Sequence, residues 1–218
     1  MNKSIVLILS LFFVCNICFA QENEPQKPKK EFKSKAGLKV GYNINKLAGT
    51  SADIKFDNKS GFMVGGFFSP SSKGILGFRT ELVFSRQGFS YDDNDTKQEV
   101  QTDYIYLPQL TTISISKFFQ LQVGGQMGYL LKSSAETQNS SEEKEDVTEH
   151  FNRLDYGAAF GFELYPVKGF ILGSRYNMSF GSIYEQKPPT GIPSPFPFTP
   201  EDVKGRNAVL QFFVGYRF

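Results

Sequence analysis

Tryptophan is missing from all 218 residues, histidine occurs once, and the two cysteines, Cys15 and Cys18, stand close together near the start. Excess charge of either sign is missing as well: 24 Lys and Arg against 22 Asp and Glu leave a net charge of +2. A nucleic-acid binder would concentrate positive charge on one face, so that class is excluded and no nucleic-acid partner is expected. Long apolar runs are scarce too. The one present, Ile5 to Ile17, is too short to cross a bilayer comfortably, follows Lys3 and ends at "CFA" before Gln21. Those are the marks of a signal peptide over residues 1–20, removed after Ala20. Export then takes both cysteines with it, which excludes a disulfide, a thiol nucleophile and a cysteine metal cluster from the mature chain. The polar, Pro- and Lys-rich stretch 21–35 reads as a flexible periplasmic arm.

What the chain has is 23 Phe, 10 Tyr and 20 Gly, a composition suited to twisted strands. Apolar residues recur with period two. In "FFQLQVGGQMGYLLK", Phe119, Leu121, Val123, Met127, Tyr129 and Leu131 take one face, while Gln120, Gln122, Gly124, Gln126, Gly128 and Lys132 take the other. "RLDYGAAFGFELYP" sets Leu154, Tyr156, Phe160 and Phe162 against Arg153, Asp155 and Glu163. "FILGSRYNMSFG", "GLKVGYNIN", "LGFRTELVFSR" and the terminal "LQFFVGYRF" behave alike. Two runs are less tidy: "GFMVGGFFS" has Met63 and Phe67 opposite Phe62, Val64 and Phe68, and "YIYLPQLTTISIS" contains Pro108. There Ile105, Leu107, Ile113 and Ile115 are assigned to the apolar face.

The eight segments, roughly 9–14 residues each, are near the length a tilted strand needs to cross a bilayer. Short connections ("PSSKG", around Lys117, "PVKG") alternate with long ones ("KLAGTSADIKFDNKS", "FSYDDNDTKQEVQT", "SSAETQNSSEEKEDVTEH" and the stretch from Ile183 to Lys204). The fold expected over 36–218 is all-β, an eight-stranded antiparallel up-and-down transmembrane barrel in the outer membrane, with short periplasmic turns and long external loops. A soluble barrel shows the same alternation with the opposite sign. So much Phe, Tyr and Leu would overfill a small interior, so the apolar face is assigned to lipid.

The runs "AGLKVGYNINKL", "ELVFSRQGF", "YIYLPQL", "LQVGGQMGYLL", "LDYGAAFGFEL", "RYNMSFGSI" and "LQFFVGYRF", in this order and spacing, resemble the outer-membrane β-barrel family of Bacteroidota often called PorT-like. The resemblance implies a C-terminal signal, Tyr216 and Phe218, read by the barrel-assembly machinery. It also admits an accessory role in protein secretion, with an extracellular or secretion-system protein as partner.

Arg79, Glu81, Arg153, Asp155, Glu163, Arg175 and Arg217 lie on the polar face and are expected to form an ion network in the lumen, since buried charge must be paired. Eight strands leave room for side chains but little more, so a narrow or plugged lumen is expected, with a structural or interaction role through the external loops; a small-solute porin is the alternative. No catalysis, cofactor or metal is expected. His150 has Ser140, Ser141 and Glu149 near it only in sequence. "YDDNDTKQE" lacks the spacing of a calcium loop, "EEKED" is a solvated acidic run, and "KPPTGIPSPFPFTP" is a stiff arm suited either to partner binding or to capping the mouth.

Overall fold

The computed structural model describes residues 34–48, 56–93, 96–137, 144–185 and 205–218. The leader, nearly all of the arm, the Pro- and Phe-rich stretch of 187–200 and Ser140 and Ser141 lie outside the described residues.

Eight long strands follow the chain: β1 Lys35–Ala48, β2 Phe56–Ser69, β3 Leu76–Asp93, β4 Thr96–Ser114, β5 Phe119–Thr137, β7 Leu154–Leu164, β8 Phe170–Ser179 and β9 Arg206–Arg217. A two-residue strand, β6 Glu145–Asp146, and one 3-10 turn, Thr148–His150, lie between β5 and β7. Each long strand pairs antiparallel with the next, and β9 returns to β1 in a ladder from Gly37↔Arg217 to Ala48↔Arg206. The sheet is closed. Closure leaves no edge, the condition for a sheet to stand in hydrocarbon with its backbone polar groups satisfied.

Alternation sets the two faces as expected. Leu38, Val40, Phe62, Val64, Leu82, Ile105, Leu107, Val123, Met127, Phe160, Leu172 and Val214 are exposed on the outside, while Lys39, Asn43, Arg79, Glu81, Gln122, Glu163, Arg175 and Gln211 are buried within. The untidy second strand resolves once neighbours are in place: Met63 and Phe67 turn inward and Phe62, Val64 and Phe68 turn out. Pro108 is buried on the inner face, and the β3–β4 ladder breaks between Thr80↔Gln109 and Val83↔Tyr106, where the missing N–H would otherwise leave a gap. Ile115 falls in the turn after β4 rather than on the strand.

Three strands outrun the sequence expectation. β3 has 18 residues and β4 and β5 have 19 each. Most of what reads as a loop, "FSYDDNDTKQEVQT", is ladder from Phe89↔Val100 to Asp93↔Thr96. At this level Phe89, Tyr91 and Val100 point inward, and charged pairs Arg86–Asp103, Lys59–Glu99 and Lys97–Asp57 mark the outside. The sign of the alternation reverses because water, not lipid, surrounds that part of the barrel. The short-turn end carries the first residue of β1 and the last of β9, and Gly169 takes the left-handed φ of 87° in the tight turn between β7 and β8.

Candidate functional site in the lumen and at the outer mouth

Five charged side chains meet in the lumen. Glu81 accepts from Lys39 Nζ at 2.6 Å and from both Arg175 terminal nitrogens at 2.7 and 2.9 Å. Glu163 accepts from Arg79 Nη1 at 2.7 Å, from Lys39 Nζ at 2.7 Å and from the Tyr165 hydroxyl at 2.6 Å. Lys39 thus bridges the two carboxylates. Gln120 and Gln122 take further hydrogens from Arg79 and Arg175 at 3.2 and 2.6 Å. All five charged residues are at most 2% exposed, so the network fills the cross-section at this level.

Alternation places the five. Lys39 on β1, Arg79 and Glu81 on β3, Glu163 on β7 and Arg175 on β8 all fall on the inner face, and β3 shares no ladder with β7 or β8. Their ion pairs therefore tie opposite walls together. The cluster carries three cations and two anions, one positive charge too many. Two rings offset it: Phe67 lies 4.3 Å from the Arg79 guanidinium and 5.0 Å from Lys39, and Phe213 lies 4.6 Å from Lys39 and 5.5 Å from Arg175. A desolvated cation over an aromatic face gains about 2 kcal/mol. Space for the Phe213 ring comes from Gly173, whose hypothetical Cβ would strike it.

A polar layer without cations lies nearer the outer mouth. Asn43 Nδ2 sits 2.9–3.0 Å from Ser85 Oγ and from the carbonyls of Phe62 and Arg86, where the β2–β3 register slips between Asn58 and Met63. A side chain from β1 thereby takes up carbonyls that the interrupted ladder leaves over. Asp155 accepts from Tyr106 at 2.6 Å and from Ser179 at 2.7 Å.

Above this the mouth is closed by an apolar plug. Phe89, Tyr91, Val100, Leu130, Val147, Phe151, Ile183 and Tyr184 are buried together. Two segments after β5 and β8 carry the last four: Phe151 and Tyr184 form an isolated bridge, and Asn152 Nδ2 donates to the carbonyls of Ser182 and Tyr184 at 2.9 and 2.8 Å.

Of the seven residues expected in the lumen network, Arg79, Glu81, Glu163 and Arg175 come together. Asp155 is buried one layer away, held by hydroxyls rather than by a cation. Arg217 lies half-buried at the short-turn end, its guanidinium 4.5 Å from the Tyr165 ring. Arg153 is a correction: it precedes β7, is exposed, and turns its Nη1 to the carbonyl of Leu131 at 3.2 Å. Lys132 is also outside. β5 carries an irregularity opposite Asp103 and Tyr104, which shifts the alternation after Leu130 and sends Leu131 and Lys132 to the outer face together. Sequence reading placed Lys39 on the inner face but missed its bridging position, which depends on which strands lie opposite. Tyr216 and Phe218 are exposed on the outer face, their rings 5.5 Å apart edge to face.

His150 is buried, its backbone N–H donating to Val147 and its carbonyl accepting from Glu185. Among the described residues no group of three or more His, Cys, Asp or Glu is placed to hold a metal ion.

Solved structures similar to this chain include the attachment invasion locus protein Ail of Yersinia pestis, at 15% identity and a TM-score of 0.49 over 85% of this chain and 99% of that one. Neisserial surface protein A matches at 12% identity and 0.45 over 85% and 97%. OprG from Pseudomonas aeruginosa matches at 13% and 0.45 over 85% and 96%. No curated protein sequence matches significantly. The model of one family, described as an outer membrane protein beta-barrel domain, matches residues 19–185, well over half of the chain, and this closed barrel with its apolar exterior belongs to that family.

Proposed function

We propose that this outer membrane barrel does not conduct solutes and acts through its external end, as a structural or interaction protein. One observation carries the reading: Lys39, Arg79, Glu81, Glu163 and Arg175 join opposite walls in a single ion network with at most 2% exposure. A porin would need a continuous wet path, and opening one here means separating buried ion pairs that have no replacement partners. Purified protein reconstituted in planar bilayers should show no sustained unit conductance. A stable open channel at low voltage would overturn the reading in favour of a small-solute porin.

The PorT-like character of the motifs supports a second reading, an accessory in protein secretion whose outer end receives an exported or secretion-system protein. Deleting the gene and following exported cargo tests it: cargo held in the periplasm supports the accessory role, and normal export removes it. No catalytic role is assigned to His150, a buried residue of the 3-10 turn that lines a groove on the outer wall, or to any other residue.

A further inference from the structure

We infer that the groove on the outer wall beside the end of β5 binds the headgroup of an outer-leaflet lipid, specifically a phosphodiester that carries a primary ammonium. The inference goes beyond the proposed function and stands on a different part of the molecule.

The groove has a volume of about 380 Å³ and is lined by Leu131, Lys132, Asp146, Thr148, Glu149 and Arg153, with the buried His150 at its back. Its height on the barrel is fixed by what lies below and beside it. Met127, Tyr129, Leu131, Leu154 and Tyr156 are exposed apolar residues on the same two strands, β5 and β7. Lys132 is the register partner of Asp103, which pairs with Arg86 through two bonds of 2.8 Å. Arg86, Asp103, Lys132 and Arg153 thus form a belt at the outer limit of the apolar surface, where lipid headgroups lie.

Charge in this belt is unequal. Asp103 is taken by Arg86, whereas Lys132 and Arg153 make no direct ion pair among the described residues and act on Asp146 only through space. The Arg153 guanidinium is held over the Leu131 carbonyl at 3.2 Å, next to Lys132 in sequence and on the same outer face. A phosphate entering from the lipid side meets two adjacent cations at the height where its glycerol and acyl chains would lie on Leu131, Tyr129 and Leu154.

The acids in the groove decide which phosphate. Asp146 pairs with Ser134, two residues beyond Lys132 on β5 and so farther from the apolar band, and Glu149 lines the same groove. Asp146 accepts from the Thr148 hydroxyl and, at 3.0 Å, from its backbone N–H, and those bonds, with Lys132 and Arg153 acting through space, hold its carboxyl below the usual carboxylate range. A phosphodiester bearing a free amine has the matching order, phosphate near the membrane and ammonium beyond it. An anionic headgroup without an amine would place only an uncharged tail against the two acids and leave them without a cation. A quaternary ammonium would have no hydrogen to donate to them.

Native mass spectrometry of the full barrel tests this. Purified protein is stripped with detergent, then equilibrated with equal amounts of phosphatidylethanolamine, phosphatidylglycerol and phosphatidylcholine. Retention of phosphatidylethanolamine about tenfold above each of the other two is expected, the size of one charge-assisted hydrogen bond. Lys132→Gln with Arg153→Gln, both exposed and outside the lumen, should abolish the preference. Glu149→Gln should raise phosphatidylglycerol relative to phosphatidylethanolamine. Equal retention of the three lipids, a preference for phosphatidylglycerol, or a preference unchanged in the double variant would each overturn the assignment. Soluble glycerophosphoethanolamine is the control for source: at equal concentration it should not displace the lipid, and displacement would show that a free phosphodiester, not a membrane lipid, is the ligand.

Discussion

Glu163 has the most to lose of any single residue in the lumen. It accepts from Arg79, Lys39 and Tyr165 with no measurable exposure, and Arg79 has no other acid nearer than Glu81 at 3.9 Å. Replacing it with the isosteric Gln leaves three cations against one anion in a dry space. Breaking a buried pair from one side costs about 3–5 kcal/mol, because the surviving charge can neither pair nor hydrate. Lys39→Met has the opposite arithmetic. It brings the cluster to two cations and two anions and puts an apolar chain between Phe67 and Phe213. Urea unfolding in detergent micelles should therefore show a clearly lower midpoint for Glu163→Gln than for Lys39→Met. Equal midpoints would mean that charge balance in the lumen contributes little, and the network would then be a filler.

At the scale of elements, the outer cap hangs on few contacts. Asn152 ties the segment after β5 to the segment after β8 through two carbonyls, and Ile183 and Glu185 are reached by backbone bonds from the same neighbourhood. Asn152→Ala leaves the Ser182 and Tyr184 carbonyls without that donor. Amide exchange at Asn152, Ile183 and Glu185 should rise by about tenfold or more, while the amides of β3 and β7 keep their protection. Unchanged exchange would show that apolar packing of Phe151 and Tyr184 alone holds the cap. This is also the scale at which the sequence was partly legible. Where one face touches lipid and the other is enclosed, alternation is strict, and the facing of most strands at that depth reads directly from residues such as Leu121, Gln122 and Val123, β2 with its inward Met63 and Phe67 excepted. Three things were not legible. Above the membrane Phe89, Tyr91 and Val100 obey the opposite sign, so the ends of β3 and β4 look like loop. The irregularity in β5 is set jointly with β4, so Lys132 reads as inward on its own strand. Arg153 looks like the first residue of β7, yet the chain arrives there from the cap and the strand begins one residue later.

For the molecule as a whole, the last residues have a part in closing the barrel that is separable from their side chains. The Phe218 N–H donates to the Ala36 carbonyl at 2.9 Å, and the ladder from Gly37↔Arg217 onward joins the last strand to the first. The Phe218 ring takes no part in that ladder. It is 74% exposed and stacks only edge to face on Tyr216, at the end of the barrel where the short turns lie. A ring placed so contributes little to the finished fold in detergent, since an exposed side chain away from any network is worth about 0.5 kcal/mol or less. We propose that during biogenesis the same ring is read by the barrel-assembly machinery, as the resemblance of the last strand to the outer-membrane barrel family implies. Phe218→Ser should then leave the urea midpoint of refolded protein unchanged within error while lowering the amount of folded barrel in the outer membrane, measured by heat-dependent gel mobility of membranes from expressing cells. Tyr216→Ser should do the same in cells, with an added small loss in vitro because Tyr216 also packs against Phe170 at 5.3 Å. Wild-type levels of assembled Phe218→Ser barrel would remove the assembly signal from these two residues, and a parallel loss in the refolded protein would make the ring a structural one.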